Sequence, residues 1–574
     1  MDENTTLEKE ADVKNGVKRL IFAGVAIVLQ LAVIMLINLR FAQQAEWFAI
    51  GMRLLGAMLV LYIYNNRTPS AMKMTWIIAI MALPVFGASF YLLAGLNRGT
   101  FRMRKRFKEI DAKLFPLLPD GSAPLARLNE VDNRAANISS YLSQTSAYPL
   151  YDDTTITYYD DAAKGIEAQK EELSRAQHFI FMEYHAIEDA ESWRAIQDIL
   201  EERVRADVEV RVFYDDMGSI GFVNTDFVKR LEAKGIKAKV FNPFMPGLNL
   251  FLNNRDHRKI TVIDGRVGYT GGYNLANEYF HVTEPFGFWK DTGVRLEGDA
   301  VQSLTVMFLE MWNAMSAMDR DDTDFMKYLA VSNAAYLLNR KSKVVSGEQA
   351  ERARKERDRL RKKGQGYYLQ MEKGIMPDMR YVLGTEEYDG DHLGFVQPYA
   401  DSPMDDIHTG EDVYICMADG AHDYAWFITP YLIITDEMCH ALSMAAKRGV
   451  DVRIITPGIP DKKLVYKLTR SYYNGLARNG VRIFEFTPGF CHAKMSIADD
   501  LVATCGTINL DYRSLYHHFE NGCLYADCEA VMDTKRDFEE TFAQCEEVTD
   551  YYAEGRGAFL RLEQMLLRLA APLM

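Results

Sequence analysis

Two stretches of this 574-residue chain carry the same reactive side chains at the same spacing. The first runs His257-Arg258-Lys259, four residues, Asp264, six residues, then Gly271-Gly272-Tyr273-Asn274. The second, 235 residues on, runs His492-Ala493-Lys494, four residues, Asp499, six residues, then Gly506-Thr507-Ile508-Asn509. A motif this short matches by chance often enough singly, but two copies sharing the downstream glycine and asparagine point to a duplicated site. Around both motifs the β-branched and apolar runs at 259–263 and 494–498 read as strands, so His and Lys, two apart, project from one face. Turn signals follow at Asp264-Gly265 and Asp499-Asp500, and a second short apolar run after each suggests a hairpin that returns Asn274 or Asn509 beside the histidine. Each copy then presents an imidazole, an ammonium and an amide to one point, a donor set suited to a phosphodiester. Asp264 and Asp499, lying in turns, read locally as structural.

The elements that must position these groups also repeat. Residues 179–184 (Phe-Ile-Phe-Met-Glu-Tyr) answer 426–431 (Trp-Phe-Ile-Thr-Pro-Tyr), 207–212 answer 450–455, and 235–241 answer 480–486. Each half reads strand, helix, strand, helix, strand, then the motif hairpin, which is the alternation of an α/β sandwich with a mixed sheet.

The two-motif pattern resembles the phospholipase D superfamily, whose members bring two His-Lys-Asp motifs into one active site between two similar halves. Further segments are similar to the bacterial cardiolipin synthases within it: Phe181-Met182-Glu183-Tyr184, Tyr214-Asp215-Asp216-Met217-Gly218-Ser219, Phe288-Trp289-Lys290-Asp291-Thr292, Thr429-Pro430-Tyr431, Asn509-Leu510-Asp511-Tyr512-Arg513-Ser514, and the closing Ala571-Pro572-Leu573-Met574. The resemblance covers roughly residues 50 to 574 apart from a charged stretch near 340–384. It implies two phospholipase-D-like α/β sandwich halves preceded by N-terminal transmembrane helices. It also implies that His257, Lys259, Asp264, His492, Lys494 and Asp499 form the catalytic set, so for the two aspartates a motif role stands beside the structural one.

On a phosphodiester, one neutral histidine attacks phosphorus to give a phosphohistidine. The other, protonated, serves the leaving alkoxide and later takes a proton from the incoming hydroxyl. Lys259, Lys494, Asn274 and Asn509 would hold the non-bridging oxygens. Each imidazole needs an acceptor on its second nitrogen. Asp291, 34 residues past His257, and Glu520, 28 past His492, stand where the family places such carboxylates. The resemblance favours His257 as nucleophile and His492 as acid, with transfer of a phosphatidyl group from one phosphatidylglycerol to the glycerol hydroxyl of a second, releasing glycerol. Water as acceptor would instead make a phospholipase D hydrolase, and another alcohol a transphosphatidylase. A silent lipid-binding scaffold is disfavoured because His, Lys and Asn are intact in both halves. No metal-ligand spacing is evident, and the scheme calls for neither metal nor cofactor.

Composition fits a membrane enzyme. Apolar stretches run from Leu20 to Ile37, Trp47 to Tyr64 and Met74 to Ala94. The first and third are long enough to span a bilayer. The second carries Arg53, which costs about 2.5–3.5 kcal/mol at the centre of a span and less if it snorkels. No small-residue cleavage site follows the first stretch, which argues for an anchor rather than a signal peptide. Arg98, Arg102, Arg104, Lys105, Arg106 and Lys108 after the third stretch place the catalytic halves on the cytoplasmic side of a multi-pass bacterial cell-membrane protein, with two or three crossings left open. The net charge of −14 tells against nucleic acid and leaves phosphatidylglycerol and membrane lipids as partners. Seven cysteines, odd in number and without a Cys-x-x-Cys pair, read as reduced, buried thiols, and Cys491 should face away from His492.

The expected division is a basic tail at 1–19, a membrane region at 20–96 and a basic juxtamembrane segment at 97–135. The first half follows at 136–330, a charged linker or insertion at 331–390, and the second half at 391–574. Eleven Lys and Arg against four acids mark residues 340–363, read as a charged helix, and 559–569 reads as an amphipathic C-terminal helix.

Overall fold

The structure is a computed structural model. It describes scattered positions between 21 and 40, then residues 46–92, 100–316, 319–329 and 393–554, except 67, 225, 244–253, 317–318 and 322–324, with 567–569 and 571 near the end. The basic tail, the charged 331–390 stretch and most of the amphipathic 559–569 segment therefore lie outside the described residues. The first apolar stretch is described only at scattered positions, all helical and exposed.

The second and third apolar stretches depart from expectation. Despite Arg53, the second forms one continuous helix, α1 (Glu46–Asn65), and it is the one helix among the described residues long and apolar enough to cross a membrane. The third is broken into α2 (Ser70–Ala82) and α3 (Pro84–Phe90). Pro84 is the cause. It has no N–H to donate and pushes its predecessor out of the helical region, and Leu83 sits at φ −133°, ψ 72°. Gly87 permits the fold-back, because a Cβ there would run into the Ala79 carbonyl. The three helices share a small apolar core of Leu59, Ile63, Ile80, Ala88 and Tyr91, while Trp47, Leu54, Met58 and Leu61 stay exposed as a lipid-compatible face. Thr75 of α2 donates to the Leu569 carbonyl, linking this bundle to the chain's C-terminal turn.

Helix α4 (Thr100–Leu114) carries the basic cluster and is amphipathic. Met103, Phe107, Ile110 and Leu114, at spacings of four and three, are buried in the main core, whereas Arg102, Lys105 and Lys108 remain exposed. Phe107 stacks on Phe519 at 5.0 Å, and Arg106 Nε donates to the Ala314 carbonyl at 2.6 Å. The juxtamembrane segment is thereby fixed to the catalytic body along one face.

The first half is a seven-stranded mixed sheet. Its strands are β1 (Thr155–Tyr159), β2 (Phe179–Tyr184), β3 (Glu209–Asp215), β4 (Lys237–Phe241), β6 (Lys259–Ile263), β7 (Val267–Gly271) and β9 (Gly293–Glu297), in spatial order β1-β9-β7-β6-β2-β3-β4. Two short strands lie outside it, β5 (Arg255–Asp256) and β8 (Phe288–Lys290). The second half repeats the order with β10 (Phe395–Asp401), β11 (Tyr424–Ile428), β13 (Asp451–Pro457), β14 (Arg482–Phe486), β16 (Met495–Ala498), β17 (Val502–Gly506) and β19 (His518–Ala526), running β10-β19-β17-β16-β11-β13-β14, and adds β20 (Cys545–Glu547) at the edge. In both sheets three parallel strands meet an antiparallel hairpin that carries the motif, β6–β7 or β16–β17. The two-half mixed α/β fold thus stands as expected. Because helices cover both sheet faces, strands β2, β11 and β17 are buried at every position rather than alternating.

Two further ladders join the halves. β5 pairs in parallel with the start of β19, and β8 pairs in parallel with β15 (Gly489–Cys491). Lys290 of the first half also reaches Asp537 of the second at 2.5 Å, where Tyr158 donates to the same carboxylate. Helix Asn133–Thr145, assigned to the first half from residue 136, packs on the second half, with Gln397 donating to the Ser139 and Tyr148 carbonyls and Arg134 paired to Asp499 at 2.6 Å.

Candidate active site

The inter-half ladders end at the two motif histidines. After β5, His257 donates its backbone N–H to the Phe519 carbonyl at 2.8 Å, so its ring faces the next residue of β19, Glu520. After β15, His492 donates to the Lys290 carbonyl at 2.7 Å, so its ring faces the residue after β8, Asp291. Both carboxylates are buried. Glu520 lies 2.9 Å from His257 Nδ1, and Asp291 Oδ2 lies 2.7 Å from His492 Nδ1. Each half thus supplies the acid that orients the other half's histidine. With Nδ1–H held by a carboxylate, Nε2 is the nitrogen left to face a substrate in both.

The motif glycines are there because the orienting strands come so close. A Cβ at Gly271 would meet the Thr292 carbonyl, and one at Gly506 the Asn521 carbonyl at 2.5 Å. At the next position the halves diverge to suit different acids. Gly272 leaves room for the short Asp291 carboxylate, whereas Thr507 donates its hydroxyl to the longer Glu520.

Both lysines are buried beside their histidines. Lys259 Nζ donates to the His257 carbonyl at 2.7 Å. Lys494 Nζ lies 2.7 Å from His492 Nδ1 and also donates to the His492 carbonyl. Nδ1 cannot serve Lys494 as acceptor while donating to Asp291, which leaves the His492 carbonyl and, at 3.1 Å, the Nε2 lone pair as the ammonium's acceptors. Asn274 accepts from the Ala186 N–H through Oδ1 and donates to the Tyr279 hydroxyl at 2.8 Å, leaving one amide N–H free to aim at a ligand. Asn509 is buried with its Oδ1 unpartnered. Tyr279, Trp289 and Phe490 surround the His492 ring at centroid distances of 5.3, 5.4 and 5.8 Å and give that side an apolar wall.

Burial dominates the electrostatics. It lowers both imidazoles well below the ordinary histidine range, and the neighbouring ammonium groups, Lys259 for His257 and Lys494 for His492, push the same way. It also lowers Lys259 to about 7 and Lys494 to about 8, against the attraction of Glu520 and Asp291. Asp291 is raised to about 7 by burial, opposed first by Lys494. Lys259, Lys494 and Asp291 are therefore poised near neutral pH while burial keeps both imidazoles uncharged, and an arriving phosphodiester anion would favour the charged lysines and a protonated histidine.

Asp264 and Asp499 are not at this site. Each sits in the turn of its motif hairpin in the left-handed region, φ 54° for both, where aspartate is tolerated. Asp264 accepts the backbone N–H groups of Gln177, His178 and Phe179, and Asp499 those of His422, Asp423 and Tyr424. Each lies seven positions from its histidine, roughly 20 Å of extended chain, and its contacts there anchor the first parallel strand of each sheet, as the turn reading expects, rather than reach the reacting groups. Arg258, between His257 and Lys259, faces the other way into an ion pair with Glu310 at 3.0 Å. Cys491 is buried with its thiol pushed up by burial, in keeping with an inert role. Sequence reasoning missed His518 and His185, whose rings lie 5.4 and 4.9 Å from that of His257. His518 stands two residues before Glu520 on β19, the same i, i+2 spacing that marked His257 and Lys259, and this was the one available signal.

Two mixed-sheet halves that share one pair of carboxylate-backed histidines define a phospholipase-D-like protein. The family model described as "Cardiolipin synthase, PLD-like domain" matches residues 170–312 and 414–542, once in each half, and "Phospholipase_D-nuclease N-terminal" matches 54–95. An uncharacterized protein of Streptococcus mutans serotype c is 38% identical over 515 residues, 90% of this chain and 99% of its own length. Cardiolipin synthase 2 of Bacillus cereus is 30% identical over 531 residues, 92% of this chain and 91% of its own. Among solved structures, phosphatidylserine synthase of Haemophilus influenzae covers 76% of this chain and 97% of its own at 14% identity, with a TM-score of 0.49. The chain belongs to the cardiolipin synthase family of the phospholipase D superfamily.

Proposed function

We propose that this protein is a cardiolipin synthase that moves a phosphatidyl group from one phosphatidylglycerol to the terminal glycerol hydroxyl of another, through a phosphohistidine, with release of glycerol. The observation that carries the reading is the crossed pairing of His257 with Glu520 and His492 with Asp291, which makes one site of the two motifs. His257 Nε2 attacks phosphorus while Glu520 stabilises the positive charge growing on its ring. His492, protonated on Nε2 and backed by Asp291, gives its proton to the departing glycerol oxygen, then recovers one from the acceptor hydroxyl as that oxygen attacks the phosphohistidine. Lys259, Lys494 and the amides of Asn274 and Asn509 hold the non-bridging oxygens. The near-complete burial of both histidines and the aromatic wall at His492 favour a lipid alcohol over bulk water as acceptor.

The donor and acceptor lipids reach the site from the membrane that α1 and the broken α2–α3 segment enter. In this reading the chain is multi-pass, with the exposed Arg102, Lys105 and Lys108 on the cytoplasmic side facing anionic headgroups. Product analysis with phosphatidylglycerol in mixed micelles containing chelator tests the function. Cardiolipin with equimolar glycerol is expected. Phosphatidic acid as the main product would keep the histidine chemistry and move the protein to the hydrolases.

A further inference from the structure

His518 is a buried imidazole that the transfer chemistry does not use, and it is poorly satisfied. Its Nδ1 stands 3.5 Å from Glu520 Oε1, without hydrogen-bond geometry, and its Nε2 has no protein partner. Native interiors rarely leave such a group unpaired. Glu520 Oε1 is also without a well-made hydrogen bond. One ligand atom each from His257, His518 and Glu520 falls within 4.8 Å of the others, and all three residues are buried. Two imidazoles and a carboxylate at that mutual distance match the donor set of a borderline-soft divalent ion with an open fourth position. His185 stiffens the arrangement, since its Nδ1 is tied to the Asp256 carbonyl at 2.7 Å while its ring packs against His257 and stacks on His518. Lys259, close by, repels any cation, so affinity should fall short of a closed structural zinc site.

We propose that His257, His518 and Glu520 form a regulatory site for Zn²⁺ or a similar transition ion, which inhibits the enzyme when bound. The inhibition follows from imidazole chemistry and rests on His257 being a catalytic histidine that acts through Nε2. A neutral imidazole carries one proton. When Nδ1 faces Glu520 it carries that proton, and the Nε2 lone pair is free to attack. An ion bound at Nδ1 moves the proton to Nε2, which removes the lone pair, and it takes Glu520 away from its orienting role. Phospholipid transfer would then be under the control of free zinc without the metal taking part in any step.

The test uses the full chain in detergent micelles, stripped of metal with chelator and titrated with Co²⁺. The expected result is one equivalent of ion with the visible bands of a four-coordinate N/O site, retained in His492→Ala and lost in both His518→Asn and His518→Gln. Zn²⁺ should suppress turnover of the unaltered protein at least about tenfold, reversibly on chelation. The concentration needed should rise more than about 100-fold in the His518 variants, since even outer-shell partners are worth about 10- to 100-fold in metal affinity. Thermal melting confirms that the variants fold, and Co²⁺ binding needs no turnover, so its outcome stands apart from that of the transfer reaction. Absence of the stoichiometric Co²⁺ spectrum, or Zn²⁺ inhibition unchanged in folded His518→Asn, would overturn the proposal. Binding with turnover unimpaired would overturn the inhibitory role and count against His257 as a catalytic base or nucleophile.

Discussion

Asp291→Asn and Glu520→Gln should fail in different steps of one reaction, and the difference is set by the crossed pairing. Asp291 Oδ2 lies 2.7 Å from His492 Nδ1 in a buried setting, and its Oδ1 accepts the Thr292 N–H at 2.9 Å, so the amide can take its place without a change of volume. What is lost is charge. Carboxylate and imidazolium centres about 4 Å apart at an effective dielectric near 20 attract by about 4 kcal/mol. That is roughly a 10³-fold effect on any step that needs His492 protonated, and loss of the correct tautomer would take it toward about 10⁴. The assay compares phosphatidylglycerol with a phosphatidyl p-nitrophenyl ester in single turnover. A p-nitrophenolate leaves without a proton, so formation of the phosphohistidine in Asp291→Asn should recover most of the lost rate with that ester. Glu520→Gln, which weakens the nucleophile, should show the same deficit with both donors. Rescue of Glu520→Gln and not of Asp291→Asn would reverse the two histidine roles, and rescue of neither would refute acid catalysis by the His492–Asp291 pair.

Three other outcomes follow from the geometry. Asp499→Ala leaves three backbone N–H groups without their acceptor and should cost about 2–4 kcal/mol of stability, read as a lower melting temperature, with kcat of the folded fraction unchanged. Since Asp499 is held below the usual carboxylate range, that stabilisation is present at neutral pH and fades as pH falls through its folded pKa. The profile of kcat/KM against pH should be a narrow bell. As pH falls through about 7, Asp291 takes a proton and ceases to support His492, and as pH rises through about 7 and 8, Lys259 and Lys494 lose the charge that holds the diester. Lys259→Arg, permanently charged, should move the alkaline limb upward, and a flat profile between about pH 6 and 9 would contradict this account. Turnover should survive exhaustive chelation, because both proton transfers and the phosphoryl transfer are assigned to side chains; loss restored by zinc or magnesium would refute that assignment.

Much of this was legible in the sequence because the chain says it twice. The matching spacing of His257, Lys259 and Asn274 with His492, Lys494 and Asn509 located the site, and the repeated strands located the sheets that carry it. What the spacing cannot carry is which half each group serves. Asp291 and Glu520 were recognisable as orienting acids, yet their crossing depends on ladders of two and three residues, far too short to leave a pattern. For Asp264 and Asp499 the turn reading and the motif reading pointed in different directions. They belong to the motif as strings of letters, but strand geometry carries them to the far end of the hairpin. In the membrane region hydropathy weighed Arg53 against the second stretch, which forms the one long apolar helix among the described residues, and did not register Pro84, which breaks the third.

The crossed acids also determine how the halves depend on one another. A single half holds a histidine without its carboxylate and a carboxylate without its histidine, so neither can set an Nε2 tautomer alone. The register that joins them is read directly beside the reacting atoms. His257 N–H meets the carbonyl of Phe519, one residue before Glu520, and His492 N–H meets that of Lys290, one residue before Asp291. Because side chains alternate along a strand, a slip of one residue in either ladder would turn the orienting acid to the opposite face. The fit between the halves and the geometry of catalysis are therefore the same contact. Substitutions that loosen the Lys290–Asp537 tie should lower turnover before they lower the melting temperature, since they disturb the register while the large apolar core shared by the two halves stays packed.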